Sequence, residues 1–377
     1  MKGYRELRCQ ARHPLIRKEH RVSCLSCTVS LAMASVVLTL ISLLTWPWLI
    51  HSCHFALEQT PEVIEGYMPT NISFSSCMGN WQDHRLMDRI HSDVHIFLGD
   101  SVYGDDYSYE FDAVKPDWLT FFRLPTHLVP YYALLYRQLS CRKTFRDLFH
   151  RVPFVLSIWD DHDYGKDDEK WTNPMKEKSK RMFERFWKLN SKRQEVAGVY
   201  GSYEFRDSGA SLLIVLPDLH FSTTKERLFD HGQWEWLKAL LARHTHSTVI
   251  LGLSTPLHAL RDLYRYEIDV VLAMLNHSNS VIVSGDPHVP SIVHHHSGHV
   301  ELISSPLALV GPSKPEFTLC SSNCTVHYNQ DNYGVVSLRD KTGVILSENG
   351  PLLQAHILAQ AQPSASTAPL TSGSSPR

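Results

Sequence analysis

A series of short apolar runs, each of which ends in polar residues, most constrains the fold of this 377-residue chain. The runs cover residues 94–98, 154–158, 212–216, 248–253 and 281–283, and segments with helical spacing of apolar residues, such as 176–192 and 233–243, lie between them. Short, β-branched runs of this kind are typical of buried strands. Their alternation with helices predicts an α/β fold whose ligands bind at the carboxyl ends of the strands.

The residues at these strand ends are of the types that bind metal ions. They are Cys77, Asp100, Asp161, Asp286 and His288. A hard cation needs carboxylates, imidazoles or a thiolate that converge from several loops, and a rigid sheet holds such ligands in place. A carboxylate that caps a turn is the alternative at any single position. Two strands that both close in Gly-Asp make that alternative a poor explanation of the whole set.

The order of these motifs resembles the PhoD-like (alkaline phosphatase D) branch of the calcineurin-like metallophosphoesterases. The similar segments are 74–77 (FSSC), 97–105 (FLGDSVYGD), 159–163 (WDDHD), 198–203 (GVYGSY), 216–218 (LPD) and 284–288 (SGDPH). The resemblance covers nearly all of residues 72–340. It implies an α/β, four-layer sandwich of two mixed sheets flanked by helices, which we place at residues 67–357.

The same resemblance implies a metal-dependent phosphoesterase, either a phosphatase or a phosphodiesterase. The ligands carried over by motif are Cys77, Asp100 and Tyr103 for one ion, Asp100 as the bridge, and Asp161, Asp286 and His288 for the rest of the cluster. Two or more divalent or trivalent ions are expected, calcium and iron by resemblance, with zinc or manganese as alternatives. His162 would lie beside the phosphoester substrate, where an imidazole can protonate a leaving alkoxide.

The distribution of charge argues against a nucleic-acid-binding surface. Beyond position 21 the chain has 30 basic and 37 acidic residues, which leaves this part about seven charges negative. Proteins that bind nucleic acids through phosphate contacts need a basic face instead. A substrate phosphate would therefore depend on bound metal ions for attraction.

An uncharged segment at residues 22–50 is long enough to cross a membrane, which takes roughly 20 apolar residues. Seven basic residues precede it and Trp46 and Trp48 lie near its end, as at a membrane interface. We expect an uncleaved signal anchor, with residues 1–21 in the cytosol and a stalk at 51–66. The catalytic domain would then lie in the lumen of the secretory pathway or at the cell surface, followed by a disordered tail at 358–377.

Sequons and cysteines agree with that placement. Asn71, Asn276 and Asn323 each precede Ser or Thr by two positions and are candidate glycosylation sites. Cys320 and Cys324 flank a short polar spacer, which predicts a local disulfide in an oxidising compartment.

Two other functions fit parts of the sequence. A luminal glycosyltransferase can also have a single anchor and hold a cation with an acidic pair, but it does not need ligands from several strand ends. A binding protein on a catalytically degenerate scaffold is the second alternative. Pro287 and the absence of an arginine shortly after Asp218, both departures from the family pattern, favour it, whereas the retained carboxylates and His162 do not.

Overall fold

Two β-sheets form the frame of the protein in its computed structural model, which describes residues 57–80, 82, 84–104, 129–189, 195–275, 279–308, 324–326 and 330–357. The first sheet contains β2 (Asn71–Ser75), β3 (Val94–Leu98), β4 (Phe154–Ile158), β12 (Tyr333–Ser337), β13 (Thr342–Ser347) and β14 (Gly350–His356). Across these residues the strand order is β14-β13-β12-β2-β3-β4. The strands β2, β3 and β4 are parallel, so their carboxyl ends meet at one edge.

The second sheet contains β1 (Val63–Glu65), β5 (Gly201–Asp207), β6 (Ala210–Leu216), β7 (Thr248–Leu253), β8 (Asn279–Ser284), β9 (Ser291–His294), β10 (Val300–Ile303) and β11 (Cys324–Val326). Its order in the described residues is β1-β5-β6-β7-β8-β10-β9-β11. The central strands β6, β7, β8 and β10 are parallel. Strand β1 pairs with β5 although it falls inside the predicted stalk 51–66, so the folded part begins before residue 67.

Helices lie between the strands, including at the predicted segments 176–192 and 233–243. They are α1 (Val129–Cys141), α2 (Lys143–Arg151), α3 (Asp161–Tyr164), α4 (Lys176–Trp187), α5 (His231–Arg243) and α6 (Leu257–Leu275), with a short 3-10 helix at Arg85–Arg89. Helix α4 ends earlier than the predicted 176–192 because Lys188 has a left-handed φ of 53°, which stops the helix.

The side chains of β6 show why the layers stack. Ile214 and Leu216 lie in a core that also contains Leu98 of the first sheet. Leu213 and Val215, on the opposite face, lie in a second core with residues of α5 and α6. Because successive side chains of a strand point to opposite faces, one strand contributes to both cores. Both faces of this part of the sheet are therefore covered, one by the other sheet and one by helices.

The outer face of the first sheet is covered by helices as well. The ring of Phe97 in β3 has its centre 5.9 Å from that of Phe145 in α2 and 5.3 Å from that of Trp187 in α4. The layers therefore run helices, sheet, sheet, helices. This arrangement confirms the predicted architecture of two mixed sheets flanked by helices.

The predicted anchor at 22–50 lies outside the described residues. Among the residues that the structure does describe, no helix combines the length and the apolar character needed to cross a membrane. The predicted tail at 358–377 and the predicted cytosolic segment at 1–21 also lie outside the described ranges.

Candidate metal centre

The predicted ligands lie where strands of both sheets end. Cys77 follows β2, Asp100 follows β3, and Asp161 begins helix α3 shortly after β4. His288 follows β8 of the other sheet by four residues. Ligands from distant parts of the chain are thus carried by rigid strands to one region of the fold.

Both Gly-Asp motifs require glycine because the strand ends that carry them are crowded. A Cβ atom on Gly99 would lie 2.4 Å from the Cβ of Asp160, and Gly99 has a φ of 97°. A Cβ atom on Gly285 would lie 2.7 Å from the Cβ of Ser76. Real Cβ atoms do not approach so closely, so only glycine lets the strand ends, and the aspartates that follow them, come together.

The first group of possible ligands consists of Cys77, Asp100 and His288, whose donor atoms all lie within 4.8 Å of one another. The Sγ atom of Cys77 lies 3.4 Å from Oδ2 of Asp100. The hydroxyl of Tyr103 donates a hydrogen bond of 3.0 Å to the same oxygen and lies 3.5 Å from Nε2 of His288. The structure therefore brings together four of the six predicted metal ligands at this point.

The second group consists of Asp100, Asp161 and His162, again with donor atoms within 4.8 Å of one another. Asp100 is the member that both groups share, which is the position expected of a bridging carboxylate. The His162 ring packs on that of Tyr103, with centres 4.2 Å apart. His162 is thus near enough to serve as a ligand as well as in the catalytic role that its motif predicts.

Asp286 differs from its prediction in one respect. It lies at the expected strand end, but its carboxylate belongs to neither group of converging donors. Its carbonyl oxygen accepts hydrogen bonds from the backbone N–H of His288 and from the hydroxyl of Ser305, at 2.6 and 3.0 Å. In this arrangement Asp286 fixes the loop that carries His288, while its partly exposed side chain lies beside the other acidic residues.

Backbone strain is concentrated at these residues. Cys77, Asp100, Asp286 and His288 have φ values of 57°, 52°, 76° and 53°. Residues with a Cβ atom rarely adopt this left-handed region, and when they do so together the site is often functional. These residues lie on three loops, which follow β2, β3 and β8.

The electrostatics of the site fit bound cations. Burial raises the pKa of Asp100 well above its usual range, and the nearby carboxylates of Asp161 and Asp160 raise it further. Burial, followed by the charges of Asp100 and Asp286, likewise raises the pKa of the Cys77 thiol. Oδ1 of Asp100 is buried and has no hydrogen-bond partner among the described residues. A buried acceptor without a donor, in a set of oxygen, nitrogen and sulfur ligands, is what a metal ion would satisfy.

Asp163 organises the site without belonging to it. Its buried carboxylate accepts hydrogen bonds from the backbone N–H groups of Ser101 and Val102, which follow Asp100, and from the hydroxyl of Tyr136. It also accepts one from the N–H of Asp160. These hydrogen bonds tie the ends of β3 and β4 together.

Sequence reasoning missed Ser305 and Asn80. The Ser305 hydroxyl lies 3.1 Å from Sγ of Cys77 and accepts a hydrogen bond from the N–H of His288. The Asn80 side chain bonds both the N–H and the carbonyl of Tyr103, at 2.9 and 2.7 Å. Ser305 follows the apolar strand β10, so the strand-end rule used for the other ligands would have found it. Nothing in the local sequence distinguishes Asn80.

The predicted modification sites are only partly within the described residues. Asn71 is the first residue of β2, where its N–H donates to Asp93 Oδ2 at 3.0 Å. Asn276, Asn323 and Cys320 lie outside the described residues. Cys324 is disulfide-bonded.

Comparisons with known proteins found similarity at the level of structure. No model of a protein family matches the chain, and no curated protein matches its sequence. The structure of PhoD matches with a TM-score of 0.56 at 12% identity, over 77% of this chain and 69% of that one. Purple acid phosphatase PPD1 from yellow lupin (Lupinus luteus) seeds has a TM-score of 0.49 at 8% identity, over 76% and 53% of the two chains. GAP50, described as the anchor in the inner membrane complex of Plasmodium, has a TM-score of 0.46 at 12% identity, over 78% and 90%.

The likeness to PhoD is one of overall structure. At 12% identity it concerns the fold and leaves the activity to be argued from the site. The chain has the fold of the PhoD structure.

Proposed function

We propose that this protein is a metal-dependent phosphoesterase that uses the cluster around Asp100. The observation that carries the proposal is that Asp100 is common to two groups of converging ligands drawn from four strand ends. Two bound cations in such a cluster supply Lewis-acid chemistry, in which they activate water and neutralise the phosphoryl oxygens. Cys77, Asp100 and His288 would hold one cation, and Asp100 with Asp161 the other.

The residues of the chain have distinct tasks in this proposal. Tyr103 holds Oδ2 of Asp100 through its hydroxyl and covers one face of the His162 ring. The His162 side chain is 17% exposed, whereas Cys77 and Asp100 are buried, so the imidazole lies at the accessible side of the cluster. From there it can give a proton to the oxygen of the leaving group.

The test is hydrolysis of an aryl phosphate monoester and a bis-aryl phosphate diester by the full-length chain. We expect turnover that disappears after treatment with a chelator and returns with a specific metal, identified by adding calcium, iron, zinc and manganese singly. Bound metal is measured on the same samples. Metal that binds without any turnover would favour the degenerate binding protein, and transfer from a nucleotide sugar would favour the glycosyltransferase.

Membrane attachment through residues 22–50 and a luminal catalytic domain complete the proposal. Its support is the uncharged run, the basic residues before it and the three sequons. An enzyme that removes N-linked glycans should shift the mobility of the full-length chain expressed in cells that glycosylate. In sealed microsomes, added protease should spare the domain; its digestion from the cytosolic side would contradict this orientation.

A further inference from the structure

Lys170 lies on a loop that the site itself holds in place. Its carbonyl oxygen accepts a hydrogen bond of 3.0 Å from the hydroxyl of Tyr164, a buried residue at the end of α3. The N–H of Asn173 donates to the same oxygen at 3.1 Å. Two residues before Lys170, the N–H of Asp168 donates to Oδ2 of the candidate ligand Asp161 at 2.5 Å. The backbone of Lys170 is therefore fixed relative to the cluster.

The side chain of Lys170 is oriented by a buried histidine. Nδ1 of His220 lies 3.3 Å from Nζ of Lys170 and 3.1 Å from the carbonyl oxygen of Glu169. On the other side of the ring, Nε2 donates to Oδ1 of Asp160. Two positive charges 3.3 Å apart would repel each other, so we assign Nδ1 as the acceptor of a hydrogen bond from the ammonium. One N–H of Lys170 is used in this way and two remain.

The charge of Lys170 acts on the acidic residues at two strand ends. Burial opposes ionisation of Asp160, but the hydrogen bond from His220 and the charge of Lys170 hold the pKa of Asp160 below its usual value. Burial and the charges of Asp160 and Asp161 raise the pKa of Asp286, and Lys170 counteracts this rise. Lys170 makes no ion pair with a described carboxylate. Its ammonium thus has no anion of its own, on a loop whose backbone contacts the candidate ligand Asp161.

A substrate with two negative charges needs a positively charged side chain, such as the Lys170 ammonium, in addition to the metal ions. The ligands Cys77, Asp100 and Asp161 and the nearby Asp160 and Asp286 are all acidic, so they offset most of the charge of two bound cations. A phosphate monoester carries close to two negative charges near neutral pH, whereas a diester carries one. A lysine beside the site therefore stabilises a bound monoester more than a bound diester.

We propose that Lys170, oriented by His220, binds the phosphoryl oxygens of the substrate and gives the site a preference for phosphate monoesters over diesters. The proposal rests on the phosphoesterase function proposed above. It adds the substrate class and the residue that selects it.

Lys170→Met in the metal-loaded, full-length chain tests the proposal. We expect kcat/KM for an aryl phosphate monoester to fall roughly tenfold, mainly through KM, while the value for a bis-aryl diester changes less than about threefold. Binding of inorganic phosphate, measured by calorimetry, should weaken by a similar factor of roughly ten. Lys170→Arg keeps the positive charge and should therefore retain most of the kcat/KM for the monoester and most of the affinity for inorganic phosphate. The matched control is Lys166→Met, which removes the same charge from an exposed position in the same loop.

The two proposals fail in different ways. A wild-type chain that hydrolyses neither ester contradicts the phosphoesterase function, and phosphate calorimetry then still decides whether Lys170 binds phosphate. A wild-type chain that is active, with a Lys170→Met variant whose phosphate affinity and monoester-to-diester ratio are unchanged, overturns the role of Lys170 alone. Equal effects of Lys166→Met and Lys170→Met would also overturn it, because they would show a general effect of charge.

Discussion

Asp100→Asn should abolish hydrolysis and reduce the metal content of the protein. Asp100 is the only carboxylate common to both groups of converging ligands in the described residues, so its loss weakens both proposed ion sites. Several kcal/mol of charge stabilisation depend on such ions, which corresponds to a rate loss of roughly a thousandfold or more. Asparagine is the informative replacement because it tolerates the φ of 52° found here and keeps the shape of the side chain.

The same variant should make the metal-free protein more stable. The folded state raises the pKa of Asp100 well above that of the unfolded chain, near 4, because the carboxyl is buried among other carboxylates. As the pH rises above about 4, the unfolded chain releases this proton more readily than the folded protein, so the free energy of unfolding falls. Asparagine cannot ionise, and it should remove this part of the pH dependence.

Urea unfolding in the presence of a chelator, at pH 5 and pH 8, measures that difference. The fall in the free energy of unfolding between the two pH values should be smaller for Asp100→Asn, by an amount on the order of 1 kcal/mol. Asp262→Asn, at an exposed position of α6, is the control and should leave metal content, rate and pH dependence unchanged. Full metal content and full activity in Asp100→Asn would show that the site has been assigned to the wrong residues.

Local sequence patterns predicted those parts of the fold that depend on neighbouring residues. The strands β3, β4 and β7 have the predicted bounds, because an apolar run between polar residues marks a buried strand directly. The ends of β3 and β4 also identified Asp100 and Asp161. Such residues can be found without a structure because parallel strands necessarily bring their carboxyl ends to the same edge.

The contacts between distant segments could not be predicted in this way. Ser305 meets Cys77 across 228 residues, and His220 meets Asp160 across 60. The orientation of the Asp286 carboxylate, outside both ligand groups, likewise depends on how the loop after β8 is held by Ser305. A sequence motif can show that a side chain lies at a strand end, but the packing of both sheets decides where it points.

His162→Gln should separate a catalytic role for this histidine from a role as a metal ligand. We expect near-normal metal content and a loss of turnover of roughly two decades or more, because general acid catalysis typically contributes about 10² to 10⁴ in rate. The structure supports this expectation through the partly exposed imidazole, which packs against the Tyr103 ring, while Cys77 and Asp100 are buried. Metal analysis and steady-state kinetics on the same preparation provide both readouts.

A series of aryl phosphates with leaving groups of different acidity tests whether His162 protonates the leaving group. A phenol that leaves readily as its anion needs no proton, so the loss caused by His162→Gln should shrink as the leaving group becomes more acidic. An equal loss along the whole series would leave only a positioning or electrostatic role for the imidazole. A fall in metal content would instead make His162 a ligand beside Asp100 and Asp161, which the 4.8 Å spacing of their donor atoms also allows. The slope of rate against leaving-group acidity, compared between wild type and variant at equal metal content, therefore decides what the imidazole does.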